Sequence, residues 1–278
     1  MLTFFGTVWY NVDLLEVFFM LAEERRNIIL KKINEEGTVQ ITSLAEELNV
    51  SIETVRRDFL LMESEGQINR VHGGAVARTS MATRHKLSER NKENEKEKRA
   101  LAKVAATLVE EGDIIGIDAG STALVFAEVL KNEFESLTVV TYSLDVFLAL
   151  ADCKGYNVIL CSGNYDESER SFMGALTLDA LSRISVQKAF IFPSAVSIKQ
   201  GVGYFCENSA MVVKALGDRA EQVYILADST KYERIALIQA FDFRKDFVYV
   251  CDTALPSGYA KLYREAGVNF ISPQDSEE

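Results

Sequence analysis

The chain of 278 residues has few of the residues on which metal, redox and acid–base chemistry depend. Its four cysteines lie far apart and form no CxxC pair, so we expect buried, reduced thiols and no metal site. Only two histidines are present, His72 and His85, and both precede the long C-terminal part of the chain. The sequence therefore predicts a protein without a bound metal or cofactor.

Long uninterrupted hydrophobic runs are also lacking. The opening stretch, "MLTFFGTVWYNVDLLEVFFML", is interrupted by Asn11, Asp13 and Glu16 and has no basic residues before its apolar part. These features argue against a membrane span and against a signal peptide. Because a soluble helix begins naturally near Met20, residues 1–21 are expected to be a non-native or disordered extension. The sequence predicts a cytoplasmic protein that does not enter the membrane.

An overall positive charge is absent as well. The net charge of −11 argues against a protein that coats nucleic acid with its whole surface. Positive charge is instead local, because residues 66–90 carry five basic side chains and one acidic side chain. Such segregation is expected when one end of a chain meets a polyanion and the other end does not. The length of the chain allows two domains.

Residues 22–66 have the pattern of three short amphipathic helices. In 41–48 the apolar residues recur at i, i+3, i+4 and i+7, and the short turn "NVS" follows. Ser51 is placed to cap the next helix, whose first turns carry Thr54, Arg56 and Arg57 on the outer face. A tight turn before a helix that begins with hydroxyl and guanidinium groups is the geometry that enters a DNA major groove. These four side chains are therefore candidate DNA contacts.

The next stretch, "QINRVHGGAV", predicts a two-stranded wing. Arg70 and His72 fall on one side of the alternation and Gly73 lies in the turn, so these three residues are candidates for contacts with DNA phosphates. The alternative is a three-helix bundle that binds another protein, with Arg56 and Arg57 on a solvated face. The basic wing and the charge segregation favour DNA.

The two stretches "VQITSLAEELNVSIETVRRDF" and "GQINRVHGGA" resemble the DNA-binding domain of the DeoR family of bacterial transcriptional regulators. The resemblance covers residues 22–77 and rests above all on "VSxxTVRRD" with "RVHGGA" some thirteen residues later. It implies that residues 39–58 form the helix-turn-helix and that double-stranded operator DNA is the partner.

Beyond a polar linker at 78–95, apolar runs alternate with helix-like runs. The apolar runs at 113–118, 137–142, 156–162, 188–194, 222–228 and 247–252 are predicted strands. Near-continuous apolar strands separated by helices indicate a parallel sheet covered on both faces. The fold class is therefore α/β, with an N-terminal winged helix-turn-helix, a larger mostly parallel α/β domain at 96–253, and a C-terminal segment at 254–278.

Ligands of such sheets lie beyond the carboxyl ends of the strands, and here those ends carry hydroxyl groups, glycines and a lysine. Ser121 and Thr122 open a helix whose free N–H groups can hold an anion, and Gly120 allows close approach. Lys231 adds a positive charge. For Ser143, helix capping alone is the favoured explanation. The residues at these ends are Asp118, Gly120, Ser121, Thr122, Ser143, Gly163 and Lys231.

The stretches "GIDAGSTA", "VVTYSL" and "ILADSTKY" resemble the sensor domain of the same family, which is similar to ribose-5-phosphate isomerase. The resemblance covers about residues 90–253 and implies that a phosphorylated sugar effector binds at the seven residues named above. Three features depart from the family pattern. Tyr142 stands where asparagine is usual, Ser162-Gly163 replaces two glycines, and "FPSAVSIKQG" replaces a glycine-containing segment.

The remaining question is whether this part of the chain catalyses or only binds. An isomerase needs a base that moves a proton, and "PSAVS" after the fourth strand contains no acidic residue before Glu207. We therefore expect a regulator, most often a repressor in this family, and not an enzyme. Because operator DNA has half-sites, a dimer or tetramer is expected. The competing hypothesis is a sugar-phosphate isomerase with Asp118 or Glu207 as its base.

Overall fold

The computed structural model describes residues 21–71, 73–77, 80–82 and 85–272. His72 and the predicted extension, except Leu21, lie outside these ranges. Within the described part of the chain, no helix combines the length and the apolar character needed to cross a membrane.

The N-terminal unit consists of three helices and three short strands. Its elements are α1 (Ala22–Glu36), β1 (Thr38–Gln40), α2 (Ile41–Glu47), α3 (Ile52–Ser64), β2 (Ile68–Val71) and β3 (Gly74–Ala77). The apolar positions at helical spacing on α3 pack into the core, where Val55, Phe59 and Met62 are completely buried. The predicted helix-turn-helix is thus confirmed.

The wing has three strands instead of the predicted two. β3 pairs antiparallel with β2 on one side and with β1 on the other, in the order β1-β3-β2. β1 has three residues, which is too short for alternation to reveal it, and its partner lies more than thirty residues away along the chain. Only the pairing of distant segments shows that this stretch is a strand.

The connecting segment between the two units contains β4 (Ser80–Met81) and α4 (Leu87–Arg90). The C-terminal unit follows with the elements α5 (Glu95–Ala106), β5 (Ile114–Ile117), α6 (Ser121–Glu133), β6 (Thr138–Thr141), α7 (Leu144–Leu150), β7 (Asn157–Leu160), β8 (Asn164–Asp166), β9 (Ser171–Met173), α8 (Ala175–Ser182), β10 (Val186–Ile191), β11 (Ala195–Ser197), β12 (Gly201–Tyr204), α9 (Glu207–Gly217), β13 (Ala220–Leu226), β14 (Arg234–Ile235), β15 (Ile238–Phe241), β16 (Val248–Val250), α10 (Ser257–Glu265) and β17 (Asn269–Ile271). A single 3₁₀ turn, Ser229–Lys231, follows β13.

Seven of these strands form one parallel sheet in the order β17-β16-β13-β10-β5-β6-β7. The predicted parallel α/β fold is confirmed. From β5 the chain first builds outward through β6 and β7, and then returns to place β10 on the other side of β5. This reversal makes the carboxyl ends of β5 and β10 a topological switch point, where α/β sheets bind their ligands.

Helices cover both faces of the sheet. Successive residues of β5 point to opposite faces and contact the helices there. Ile115 and Ile117 pack into a cluster with Leu101 of α5 and Phe126 of α6. Gly116 points to the other face, where a side chain would meet Leu216 of α9 at 2.6 Å. The period of two along the strand thus divides the core into two layers.

Segments before and after the predicted sensor region also form strands that pair with strands of the C-terminal unit. β17 adds an edge strand to the large sheet, although the sequence predicted no strand after residue 252. In the connecting segment, β4 pairs with β14, and Ala82 N donates to Ile235 O at 2.8 Å. Both β4 and β17 are too short to show a periodic pattern, so their pairing partners determine them.

Candidate functional site

The first turn of α3 is built as the sequence predicted. Ser51 precedes the helix in extended conformation and its Oγ accepts from Thr54 N at 3.1 Å. The Ser51 and Thr54 hydroxyls also lie 2.8 Å apart and share a hydrogen bond. This end of the helix is exposed, with two hydroxyl groups beside free backbone N–H groups.

Arg56 and Arg57 both extend into solvent from α3. Their side chains are 59% and 79% exposed, and each lies near Glu53, at 3.6 Å and 3.9 Å respectively. Ion pairs this long and this exposed contribute little to stability. Both guanidinium groups are therefore available to a partner in solution.

The third residue of the "RRD" run has a different role. Asp58 is buried, and its two carboxylate oxygens accept from Arg25 Nε at 2.5 Å and from Arg25 Nη2 at 3.0 Å. This bidentate pair fastens α1 to α3 and so sets the angle at which α3 is presented. No pattern in the sequence indicates this pair, because thirty-three positions separate its members.

The wing places Arg70 on β2, with its Nη1 3.7 Å from Glu63 and its side chain 40% exposed. Gly73 has a φ of +77° in the turn, with nothing within 4 Å of the position a Cβ would take. Its turn is therefore open to solvent. His72 lies outside the described residues.

A cavity of about 60 Å³ lies at the switch point of the large sheet. Residues just beyond β5, β6, β10 and β13 line it, together with residues of the connecting segment and α5. Of the predicted effector residues, the structure brings five together here: Asp118, Gly120, Ser121, Thr122 and Lys231.

Gly120 turns the chain from β5 into α6. Its φ of +124° lies in the left-handed region, which only glycine adopts without strain. Gly120 also offers no side chain to cap α6, so the N–H groups of the first turn, at Ser121 and Thr122, face the cavity without a capping group. The positive end of a thirteen-residue helix is thus directed at the cavity.

Lys231 closes the 3₁₀ turn after β13 and lines the same cavity. No hydrogen bond or ion pair of its ammonium group is found within residues 21–71, 73–77, 80–82 and 85–272. A second lysine, Lys98 of α5, lies close by and is almost fully buried. Its Nζ donates to the backbone oxygens of Arg90 and Glu93, the latter at 2.6 Å. Burial lowers the pKa of Lys98, and nearby Asp228 opposes this shift.

Asp118 lies at the base of the cavity, and protein donors occupy both of its oxygens. Oδ1 accepts from the Tyr142 hydroxyl and from Ala119 N at 2.6 Å. Oδ2 accepts from the Tyr204 hydroxyl at 2.6 Å and from Phe192 N at 2.9 Å. Burial raises the pKa of Asp118, and the two tyrosine hydroxyls and two N–H groups oppose this shift by stabilising the carboxylate. Asp118 therefore serves to join β5 to β10, and its hydrogen-bonding capacity is already used.

This arrangement also explains the departure at Tyr142. A tyrosine is long enough to reach Asp118 from the end of β6 and is itself buried, which raises its pKa well above the usual value. Its hydroxyl therefore stays protonated and donates.

Replacing Asp118 with asparagine is expected to lower the free energy of unfolding by about 1–3 kcal/mol, because an amide nitrogen cannot accept the hydrogen bonds that one carboxylate oxygen accepts now. Chemical denaturation followed by circular dichroism measures this loss. Tyr204→Phe, which removes one donor and leaves the carboxylate, should cost less. Equal stability of Asp118→Asn and the parent would contradict the role assigned to this carboxylate.

Two predicted residues lie elsewhere. Ser143 caps α7, where its buried Oγ accepts from Val146 N at 3.3 Å, and it does not line the cavity. Gly163 packs against the start of α8, where a Cβ would meet Thr177 Oγ1 at 2.2 Å. The capping explanation of Ser143 agrees with its position, and Gly163 allows a close approach of two backbone segments.

Arg90 and Ser171 line the cavity but were not identified from the sequence. Arg90 comes from the charged stretch "SERNKENEKEKR", in which no pattern distinguishes one basic residue from the others. Ser171 begins β9 and is completely buried. Only the packing of α4 and β9 over the strand ends reveals these residues.

Charged side chains of both signs line the cavity, and they differ in whether they already have a partner. Among the described residues that line it, three side chains are cationic (Arg90, Lys98, Lys231) and four are carboxylates (Glu93, Asp118, Glu169, Asp228). Each of these carboxylates already accepts from a protein donor, whereas the Lys231 ammonium and the start of α6 have unused donors. The unused capacity of the cavity therefore suits an anion.

Glu207, the second candidate base, lies in the first turn of α9. It is exposed and does not line the cavity. A carboxylate in this position stabilises the helix start.

Two family models match the chain. The model described as "DeoR-like helix-turn-helix domain" matches residues 25–81, and the model described as "DeoR C terminal sensor domain" matches residues 93–253.

Curated relatives match over most of their length. The "L-fucose operon activator" of Haemophilus influenzae is 30% identical and the alignment covers 89% of this chain and 98% of the relative. The "Lactose phosphotransferase system repressor" of Lactococcus lactis subsp. lactis is 32% identical over 77% of this chain and 85% of the relative. Among solved structures, ribose 5 phosphate isomerase A from Neisseria gonorrhoeae is 22% identical over 49% of this chain and 52% of that chain, with a TM-score of 0.37. A likeness this low carries no argument about activity.

Proposed function

Because this chain belongs to the DeoR family of transcriptional regulators, we propose that it binds operator DNA through α3 and the wing, and that a phosphorylated sugar or related metabolite in the cavity controls this binding. The family consists of regulators, so the chain is not an enzyme and the isomerase hypothesis is set aside. We further propose that it acts as a repressor of genes of sugar or related carbon metabolism.

The DNA contacts follow from the exposed face of α3. Ser51 and Thr54 place hydroxyls at the helix start, while Arg56 and Arg57 extend from the next turn. An exposed arginine matches guanine edges and phosphates in a bidentate way. Since operator half-sites lie about one helical turn, roughly 34 Å, apart, we expect two or more copies of the chain to bind together.

We propose that the wing contacts the phosphates of the DNA backbone. Arg70 is exposed on β2, and its present contact with Glu63 is long enough to yield to a phosphate. Gly73 lies in the turn of the same strand pair, and we propose that it and its neighbour in the sequence, His72, approach the phosphates closely.

One observation carries the effector assignment: the first turn of α6, opened by Gly120, and the unpaired ammonium of Lys231 face the same cavity. A phosphate accepts hydrogen bonds from helix N–H groups and from a lysine at once. Ser121 and Thr122 would add their hydroxyls. The carboxylates of the cavity are engaged with protein donors and do not compete for these groups.

A gel shift with the protein's own upstream DNA tests the proposal. We expect a complex whose affinity falls steeply with salt, because neutralised phosphates release counterions. Phosphorylated sugars should change that affinity and the same sugars without phosphate should not. A salt-dependent complex that responds equally to both sets of sugars would overturn the effector assignment and leave the DNA assignment intact.

Lys231→Ala is expected to raise the effector concentration needed for half the response by about tenfold, since a hydrogen bond to a charged group contributes roughly 1.5–3 kcal/mol. The same gel shift, titrated with the active sugar phosphate, measures the change. Lys214→Ala is the matched control, because Lys214 is exposed on α9 and pairs with Asp218 away from the cavity. If both variants respond as the parent does, Lys231 does not contact the effector.

A further inference from the structure

Arg90 lies at the end of α4, in the segment that joins the two units, and its side chain reaches into the cavity. Its Nη2 donates to Glu169, and the side chains of the pair are 23% and 20% exposed. Glu169 comes from the turn between β8 and β9 and lines the same cavity. The ion pair therefore joins the connecting segment to this turn at the cavity.

The Arg90–Glu169 pair uses only part of the guanidinium fork. In the buried Arg25–Asp58 pair, both Nε and Nη2 of the arginine donate to the carboxylate. Arg90 Nε, by contrast, is buried and has no acceptor among the residues that the structure describes. Leaving a buried charged donor unpaired is costly, so a guanidinium in this state has capacity for a further oxyanion.

The spare donors of Arg90 lie beside the start of α6. Arg90 Nη1 is 3.7 Å from the position that a Cβ on Gly120 would take. Ser171 Oγ gives an independent indication, because it lines the same cavity, is completely buried and finds no partner in the described part of the chain. Two residues with an unsatisfied polar atom thus line the same cavity as the N-terminus of α6, as expected at a site that a polar ligand completes.

The Glu169 carboxylate is held in place by its own turn. Asp166 Oδ1 accepts from Ser168 N at 2.8 Å and from Glu169 N at 3.1 Å, and Arg170 adopts a φ of +48° while its Nε donates to Asp145 at 2.7 Å. These hydrogen bonds fix the backbone on both sides of Glu169. The Glu169 side chain therefore extends from a fixed backbone position to the Arg90 guanidinium.

We propose that Arg90 is an anion-binding residue of the effector site and that Glu169 is a built-in competitor, which holds Arg90 when the cavity is empty and loses it to the anionic group of the effector. This inference rests on the proposed function, and it adds the competition that sets the effector concentration at which the protein responds. The occupant is an oxyanion such as a phosphate group, which accepts from Arg90 Nε and from the start of α6 together.

The location of Arg90 gives this exchange a consequence for the connecting segment. Lys98 Nζ holds the backbone oxygens of Arg90 and Glu93, so the end of α4 is fastened to α5. When the Arg90 side chain exchanges Glu169 for the effector, it does so next to the hydrogen bonds that Lys98 donates. Effector binding would therefore be sensed in the segment that leads to the N-terminal unit.

Isothermal titration calorimetry, in which inorganic phosphate is added to the full-length chain, tests the inference. Glu169→Gln removes the competing charge and keeps the shape, so its dissociation constant for phosphate should fall about tenfold. Glu167→Gln is the matched control, because Glu167 is an exposed acid in the same turn and does not line the cavity. Its dissociation constant should equal that of the parent.

Arg90→Ala should weaken phosphate binding, and Glu169→Gln should have almost no further effect in that background. A melting curve for each variant verifies folding, and Arg90→Lys, which keeps the charge without the fork, replaces Arg90→Ala if the latter does not fold. If Glu169→Gln binds phosphate as the parent does while Lys231→Ala binds it more weakly, the competition is refuted and the effector site stands. If phosphate binds to neither the parent nor Glu169→Gln, both proposals fall.

Discussion

Operator binding by the double variant Arg56→Ala/Arg57→Ala is expected to be weaker than that of the parent by about thirtyfold or more, since each good arginine contact contributes roughly 1–3 kcal/mol. Both side chains extend from α3 into solvent and are joined to Glu53 only by long ion pairs. Their loss should leave the free energy of unfolding within about 0.5 kcal/mol of the parent value. A fluorescence anisotropy titration with upstream DNA, repeated at several salt concentrations, measures the effect.

The salt dependence separates two roles of these arginines. If both neutralise phosphates, the slope of log K against log salt should become shallower by about two. An arginine that reads a base edge should instead lower the affinity for the operator more than the affinity for unrelated DNA. Arg183→Ala, which removes an exposed arginine directly after α8 in the C-terminal unit, is the control. Unchanged operator affinity of the double variant would show that α3 does not face the DNA with this surface.

Asp58→Ala is expected to lower the free energy of unfolding of the N-terminal unit by about 3–5 kcal/mol, because it leaves the Arg25 guanidinium buried without its carboxylate. A unit of this size has a total stability of only about 3–8 kcal/mol, so α1 and α3 should open frequently. Hydrogen exchange of the α1 and α3 amides in the full-length chain measures the loss. DNA binding should disappear together with the protection of these amides.

Two variants show whether the buried pair causes this effect. Glu53→Ala removes an exposed acid from the same helix and should change the stability by less than about 0.5 kcal/mol. The double variant Arg25→Met/Asp58→Leu removes both buried charges, and replacing such a pair with apolar residues is often neutral or stabilising. Normal exchange in Asp58→Ala would contradict the structural role of Asp58.

Taken together, these predictions separate three adjacent residues that look alike in the sequence. Arg56 and Arg57 should affect DNA binding without affecting folding, whereas Asp58 should affect folding first. Helical periodicity already places Asp58 one turn from Val55 and Met62, on the inner side of α3. The identity of its partner does not follow from periodicity, because Arg25 belongs to another helix.

The sequence alone determined several features that depend on neighbours within about one helical turn. The core positions of α3, the Ser51 cap and the glycine-hydroxyl start of α6 are local patterns, and the structure contains each of them. The alternation of apolar runs with helices was likewise enough to predict a parallel sheet. The ligand edge followed from the rule that such sheets bind at the carboxyl ends of their strands.

Only the tertiary structure decided which distant residues meet at that edge. Tyr204 reaches Asp118 across 86 positions, and Glu169 reaches Arg90 across 79. The strand order brings these segments together, and strand order depends on the packing of the whole sheet. The residues next to a charged side chain in a polar stretch do not predict which distant residue is its partner. For this reason the sequence predicted an anion at the start of α6, while the fold showed that Asp118 is already engaged and that Arg90 is paired with Glu169.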